Sequence, residues 1–178
     1  MAERTANIHA GCVRLARAAA AFGAPEEAGV LVLGKSGSGK SDLMLRLMAA
    51  GAELVADDRT DLTAKYGRLS AAPPPALAGL MEVRGLGVLA LPHCPCTPVT
   101  LVVELTPGIS PPRLPEPERW RPPELLAFPQ ESWPPLIRLD PFEAAAQAKV
   151  VAAVAAFAHA LFRHGLPSFG GASIRRQP

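Results

Sequence analysis

The octapeptide Gly34-Lys35-Ser36-Gly37-Ser38-Gly39-Lys40-Ser41 limits the fold of this chain more than any other stretch. It matches G-x-x-x-x-G-K-[ST] in full. It also lies where that pattern has a mechanism, between the apolar run GVLVL at 29–33 and the helix-patterned LMLRLM at 43–48. Glycines at 34, 37 and 39 let backbone N–H groups curl around an anion. The helix that follows points its unpaired N–H groups and positive dipole end at the same place. A flexible Gly/Ser linker would not be flanked by apolar runs on both sides. The stretch predicts a strand, a loop and a helix that together hold a nucleoside triphosphate along residues 34–41. Lys40 is expected at the β- and γ-phosphates and the Ser41 hydroxyl on Mg²⁺.

A second feature follows at once. In AELVADDRTD, residues 52–61, an apolar run ends in adjacent carboxylates, Asp57 and Asp58. Like charges side by side repel, and carboxylates at a strand end call for a partner. A strand–loop–helix–strand unit should return the chain beside its first strand, with Asp57 and Asp58 near the phosphate loop. Mg²⁺ and Lys40 are then the expected partners, with the proton of an attacking hydroxyl a further one. Side chains alternate along an extended chain, so the two carboxylates should point to different sides. A turn with solvated aspartates fits DDRTD as well.

The rest of the chain reads as α/β at its start and more antiparallel afterwards. Residues 8–15 suggest one short strand with a turn at Gly11, and 16–27 a helical excursion or loop. Residues 40–50 form a helix with Leu43 and Leu47 on one face and Gly51 as its stop. LTAKYGRLS predicts a hairpin turning at Gly67. MEVRGLGVLAL, 81–91, predicts a strand interrupted by glycines, and VTLVVEL, 99–105, an unbroken one. Proline density across 107–135 leaves only an extended surface loop. Residues 136–139 give a last short strand, 142–164 a long Ala-rich helix, and 166–178 a loose tail. One domain covers 1–178.

A formal net charge of +2, no basic run and 5% aromatic residues argue against a nucleic-acid partner. No signal core is present and no apolar stretch is long enough to cross a bilayer, so no membrane association is expected. Three cysteines argue against a disulfide framework and for a reducing, cytoplasmic setting.

GKSGSGKSDLMLRLMAAGAELVADD followed by MEVRGLGVL resembles the catalytic, C-terminal domain of the HPr kinase/phosphorylase family. IRLDPFEAAAQAKV looks like the ending of short alphaproteobacterial forms that lack the N-terminal domain. The resemblance implies a P-loop-containing, HPr kinase-like (PEP carboxykinase-like) core, a mixed β-sheet flanked by helices. It implies an ATP- and Mg²⁺-dependent serine kinase whose substrate is the phosphocarrier HPr, with phosphorolysis of the phosphoserine as the reverse reaction. A homo-oligomer, a hexamer in the family, is implied too. By position, Asp58 corresponds to the base in phosphorylation and acid in dephosphorylation, with Asp57 beside it. His9 corresponds to a catalytic-site histidine, Lys40 to the loop lysine, and Ser41 and Glu82 to metal-binding positions.

Other residues leave alternatives open. Glu82 and Arg84 lie on one side of an extended MEVRG, so Arg84 can add charge at a phosphate, or the two can form a plain salt bridge. His93, Cys94 and Cys96 with Cys12 make an incomplete soft-metal set or are unpaired thiols. Val150, Val154, Phe157 and Leu161 form a core or partner stripe. The proline-rich loop, with Trp120 and Trp133, docks a protein substrate or is an inert excursion. Two further functions remain in view: a phosphate-loop kinase of a small metabolite, and an ATP-binding regulator without turnover.

Overall fold

Eleven strands and two α-helices run through residues 4–162, the residues described by this computed structural model; the expected tail at 166–178 lies outside them. The order begins β1 (Thr5–Ile8), β2 (Gly11–Arg14), a 3-10 segment (Ala16–Ala21), β3 (Gly29–Leu33), α1 (Lys40–Ala49) and β4 (Glu53–Ala56). It continues with β5 (Thr60–Lys65), β6 (Arg68–Ala72), β7 (Leu80–Val83), β8 (Gly87–Ala90) and β9 (Thr97–Leu105). It ends with β10 (Glu118–Arg119), β11 (Pro135–Leu139) and α2 (Ala146–His159).

The main sheet has the order β1-β5-β6-β9-β3-β2-β4. β9 is its pivot: its first residues pair with β6, and the rest lies between β3 and β11, parallel to both. The apolar runs are continuous because both faces of these strands are buried. Val30, Val32, Leu101 and Val103 enter one core with Leu43, Met44 and Leu47 of α1 and Val150 and Val154 of α2. Leu31 and Val102 enter a second core with Leu62, Leu69 and Leu126. Period two divides each run between the two layers.

Several expectations are corrected. Residues 8–15 are not one strand: β1 pairs with β5 and β2 with β3 and β4, and the chain changes partners at His9 and Ala10. Gly11 is no turn residue. It lies within β2, where a Cβ would overlap Met44 Sδ, so the glycine admits α1 against the strand. β4 does not return beside β3, because β2 lies antiparallel between them. Residues 81–91 are a separate two-stranded hairpin, β7–β8, turning through Arg84, Gly85 and Leu86. Its glycines make the turn instead of interrupting a strand.

The hairpin at Gly67 forms as expected, with Tyr66 and Gly67 both in left-handed backbone, the geometry that matches strand twist. The 107–135 segment is more than a surface loop. It carries β10 on the edge of β11, two 3-10 turns and a buried Leu126, with Trp120 and Phe128 packed against the second core. α2 is shorter than the expected 142–164. Asp140 accepts from the Phe142 and Gly108 N–H groups (3.0 and 2.9 Å) in a turn that precedes the helix, and Ala160 ends α2 in left-handed backbone. Val150 and Val154 are buried and Phe157 half-buried, whereas Leu161 lies past the helix and is exposed. The stripe is therefore core for its first three members. No helix among the described residues is long and apolar enough to cross a membrane.

Candidate active site

The loop after β3 takes the shape its glycines allow. Gly37 and Gly39 have left-handed φ (77° and 91°), and Gly39 turns the chain into α1 at Lys40. Lys40 is buried, and its ammonium donates to the carbonyls of Gly34 (3.0 Å) and Lys35 (3.1 Å). The Ser38 hydroxyl inside the loop is buried and has no hydrogen-bond partner. A buried hydroxyl left unpaired costs free energy that a bound acceptor would recover. The cradle, the orphan hydroxyl and the lysine together fit a phosphate chain.

Asp57, at the end of β4, is 8% exposed. Its Oδ1 accepts from the Ser41 hydroxyl (3.1 Å) and its Oδ2 from the Glu82 N–H (3.0 Å). Burial pushes its carboxyl above the usual range; the Glu82 N–H and Ser41 hydroxyl oppose that, and the neighbouring Asp58 adds to it. A hydroxyl and a carboxylate in contact are hard oxygen donors, the set that suits Mg²⁺ shared with phosphates. Among the described residues no group of three or more His, Cys, Asp and Glu side chains could hold a metal alone.

Asp58 faces elsewhere. Its φ is +62°, and Arg59 N–H closes a three-residue turn onto the Asp57 carbonyl at 2.7 Å. A non-glycine residue in such a turn is strained, and such strain gathers at functional sites. His9 Nε2 lies 2.7 Å from Asp58 Oδ1, with both side chains substantially exposed. Because β2 runs antiparallel to β3 and β4, its first residues lie at their carboxyl ends, and His9 is delivered there. Thr60, wholly buried, holds the adjoining Ala10 carbonyl at 2.8 Å.

The structure brings together His9, Lys40, Ser41, Asp57, Asp58 and the main chain of Glu82. The doublet does take two sides, but its direct partners differ from those expected. Lys40 bonds the loop carbonyls and no carboxylate, because those carbonyls converge on its ammonium. Asp57 is held by Ser41 and Glu82, and Asp58 by His9. The solvated-turn reading fails for Asp57, which is buried. The Glu82 and Arg84 side chains are both exposed on the hairpin and form no ion pair among the described residues. Lys35 and Ser36 are exposed on the rim of the loop. Cys94 donates to the Cys96 carbonyl (3.1 Å), and burial raises the Cys12 thiol pKa strongly.

Sequence reasoning missed Thr60, whose only signal is its place two residues after the doublet. It also missed the Asp140–Phe142 turn, which packs against Gly39: a Cβ on Gly39 would stand 3.0 Å from Pro141 Cγ and 3.2 Å from Phe142 Cζ.

Residues 24–94 match the HPr serine kinase C-terminal domain. The HPr kinase/phosphorylase of Clostridium tetani is 44% identical over 64 residues, 36% of this chain and 21% of that protein. The HPr kinase/phosphorylase of Xylella fastidiosa is 48% identical over 66 residues, again 36% of this chain and 21% of the relative. The matched segment thus spans about a fifth of the length of these relatives. A solved structure of the Hpr(Ser) kinase/phosphatase from Coxiella burnetii superposes with a TM-score of 0.64, covering 84% of this chain and 87% of that one at 20% identity. At that identity the likeness speaks for the fold, including the mixed sheet flanked by helices. The segment that holds the phosphate loop, the acidic doublet and the β7–β8 hairpin is therefore similar to the HPr serine kinase C-terminal domain, and the chain shares its fold with the Hpr(Ser) kinase/phosphatase structure.

Proposed function

We propose that this protein is an ATP- and Mg²⁺-dependent kinase that phosphorylates a serine of an HPr-like phosphocarrier protein. The observation that carries the reading is the Ser41–Asp57 contact at 3.1 Å, which ties the phosphate loop to the acidic doublet across one site. The match of residues 24–94 supports the substrate class.

Bound Mg²⁺ supplies charge neutralisation at the β- and γ-phosphates. Ser41 and Asp57 would hold it, with Glu82 as a further carboxylate on the adjoining hairpin. Lys40 exchanges the Gly34 and Lys35 carbonyls for phosphate oxygens. Phosphoryl transfer asks for positioning and charge stabilisation more than for a strong base. The serine oxygen bonds to the γ-phosphorus as the bond to the bridging oxygen of the leaving diphosphate breaks. The serine proton goes to Asp58, which His9 orients at 2.7 Å. Arg84, exposed at the hairpin turn, adds positive charge near the transferring group. A protonated Asp58 can return its proton if phosphate attacks the phosphoserine, the reverse reaction.

The test is incubation of the purified protein with γ-labelled ATP, Mg²⁺ and an HPr-like carrier. Label is expected on a carrier serine, and Asp58→Asn should lower transfer at least a hundredfold, the usual scale of a positioned acid–base group, while ATP binding persists. Label on a small metabolite, or ATP binding without transfer, would overturn the reading.

A further inference from the structure

We propose that Phe142 is the platform on which the purine base of the nucleotide stacks, an inference that rests on the triphosphate reading of the loop. Phe142 is 63% exposed, yet its Cζ lies against Gly39, the residue that turns the phosphate loop into α1. A single exposed aromatic needs no explanation. This one is fixed in place. Its N–H donates to Asp140 Oδ1 (3.0 Å), and the other oxygen of Asp140 accepts from Gly108 (2.9 Å). The preceding residue, Pro141, has its carbonyl bonded by Arg46, whose guanidinium also pairs with Asp42 (2.8 Å) in the first turn of α1. Three side-chain hydrogen bonds therefore tie the turn that carries the ring, one of them from the helix that starts in the cradle.

The ring touches the loop with its para carbon, which leaves most of its surface open beside the helix end of the cradle. The orphaned Ser38 hydroxyl is an independent sign that this loop is built to receive an acceptor. A phenyl ring has no hydrogen-bonding group, so it recognises the flat face of a purine and not its edge. The platform is thus specific for a nucleobase over bare polyphosphate, and tolerant between adenine and guanine.

The experiment is calorimetric titration of the full-length protein in Mg²⁺ with a non-hydrolysable ATP analogue and, separately, with tripolyphosphate. Wild type should bind the nucleotide more tightly. Phe142→Ala should weaken the nucleotide about 5- to 160-fold, the range of one base–aromatic stack, and leave tripolyphosphate unchanged. Phe142→Trp should keep nucleotide affinity near wild type. Because the side chain is exposed, the thermal midpoint of the ligand-free protein should not move. Equal loss for both ligands in Phe142→Ala would assign the ring to packing the loop and overturn the platform, as would no loss at all. Wild-type binding of tripolyphosphate as tight as that of the nucleotide would also overturn it, while leaving the phosphate loop intact. Failure of wild type to bind either ligand would overturn the triphosphate reading and this inference together.

Discussion

Cys12 sits in the middle of β2 with no exposed surface, and its thiol pKa is driven up first by burial and then by Cys94 and Cys96 nearby. The folded state therefore holds this proton more tightly than the unfolded chain, whose thiol titrates at roughly 8.5. Below that pH neither state ionises and nothing is lost. Above it the unfolded chain releases a proton that the fold retains, so stability falls by up to about 1.4 kcal/mol per pH unit. Urea melts from pH 7 to 10 should show a steeper alkaline decline for wild type than for Cys12→Ala. Parallel declines would remove Cys12 as the cause. Among the candidate site residues, the proximity of Lys40 and Ser41 to the doublet was legible because a loop and the strand after it form a local pattern. The partners of the doublet were not. His9 and Asp58 are 49 positions apart, and nothing in IHAG signals which carboxylate it meets. Phe142 was read as a helix start because EAAAQAK continues a helix-forming run; instead it lies in a turn closed by the Asp140 side chain, and α2 starts at Ala146.

At the level of elements, β9 carries the heaviest packing, with Leu101 in one core and Val102 in the other, both fully buried. Leu101→Ala should cost about 2–5 kcal/mol by lost transfer and cavity terms, read from the urea midpoint. Leu161→Ala, past the end of α2, should stay within about 0.5 kcal/mol. A large loss at Leu161 would mean that it packs, contrary to its exposure. Strand existence was legible at β3, β4 and β9 from their apolar runs, because both faces are buried. Strand neighbours were not. A βαβ-like pattern normally sets two parallel strands side by side, but the antiparallel β2 separates β3 from β4, and only Gly11, opposite Met44, marks where α1 crosses it. The hairpin of β7 and β8 was misread because its turn glycines look the same in sequence as breaks within a single strand.

For the molecule as a whole, the proline-rich stretch changes status. Composition rightly excluded a helix or a central strand there, yet it gave no hint that Leu126 lies 5% exposed in the second core. Leu126→Asp should destabilise the entire sheet by more than about 2 kcal/mol, since an unpaired charge would be buried, and a single cooperative denaturation curve should report it. An unchanged midpoint would return the segment to the rank of a loose surface excursion. The placement of β2 has a consequence for how the protein acquires its chemistry. The strand that separates β3 from β4 is made before either of them, and His9, two residues ahead of it, supplies the imidazole. Docking that strand is a long-range event, slow in the way that distant pairings are slow. Folding kinetics and competence should then coincide: no partly zipped sheet, however complete its phosphate loop, can yet align a hydroxyl for attack.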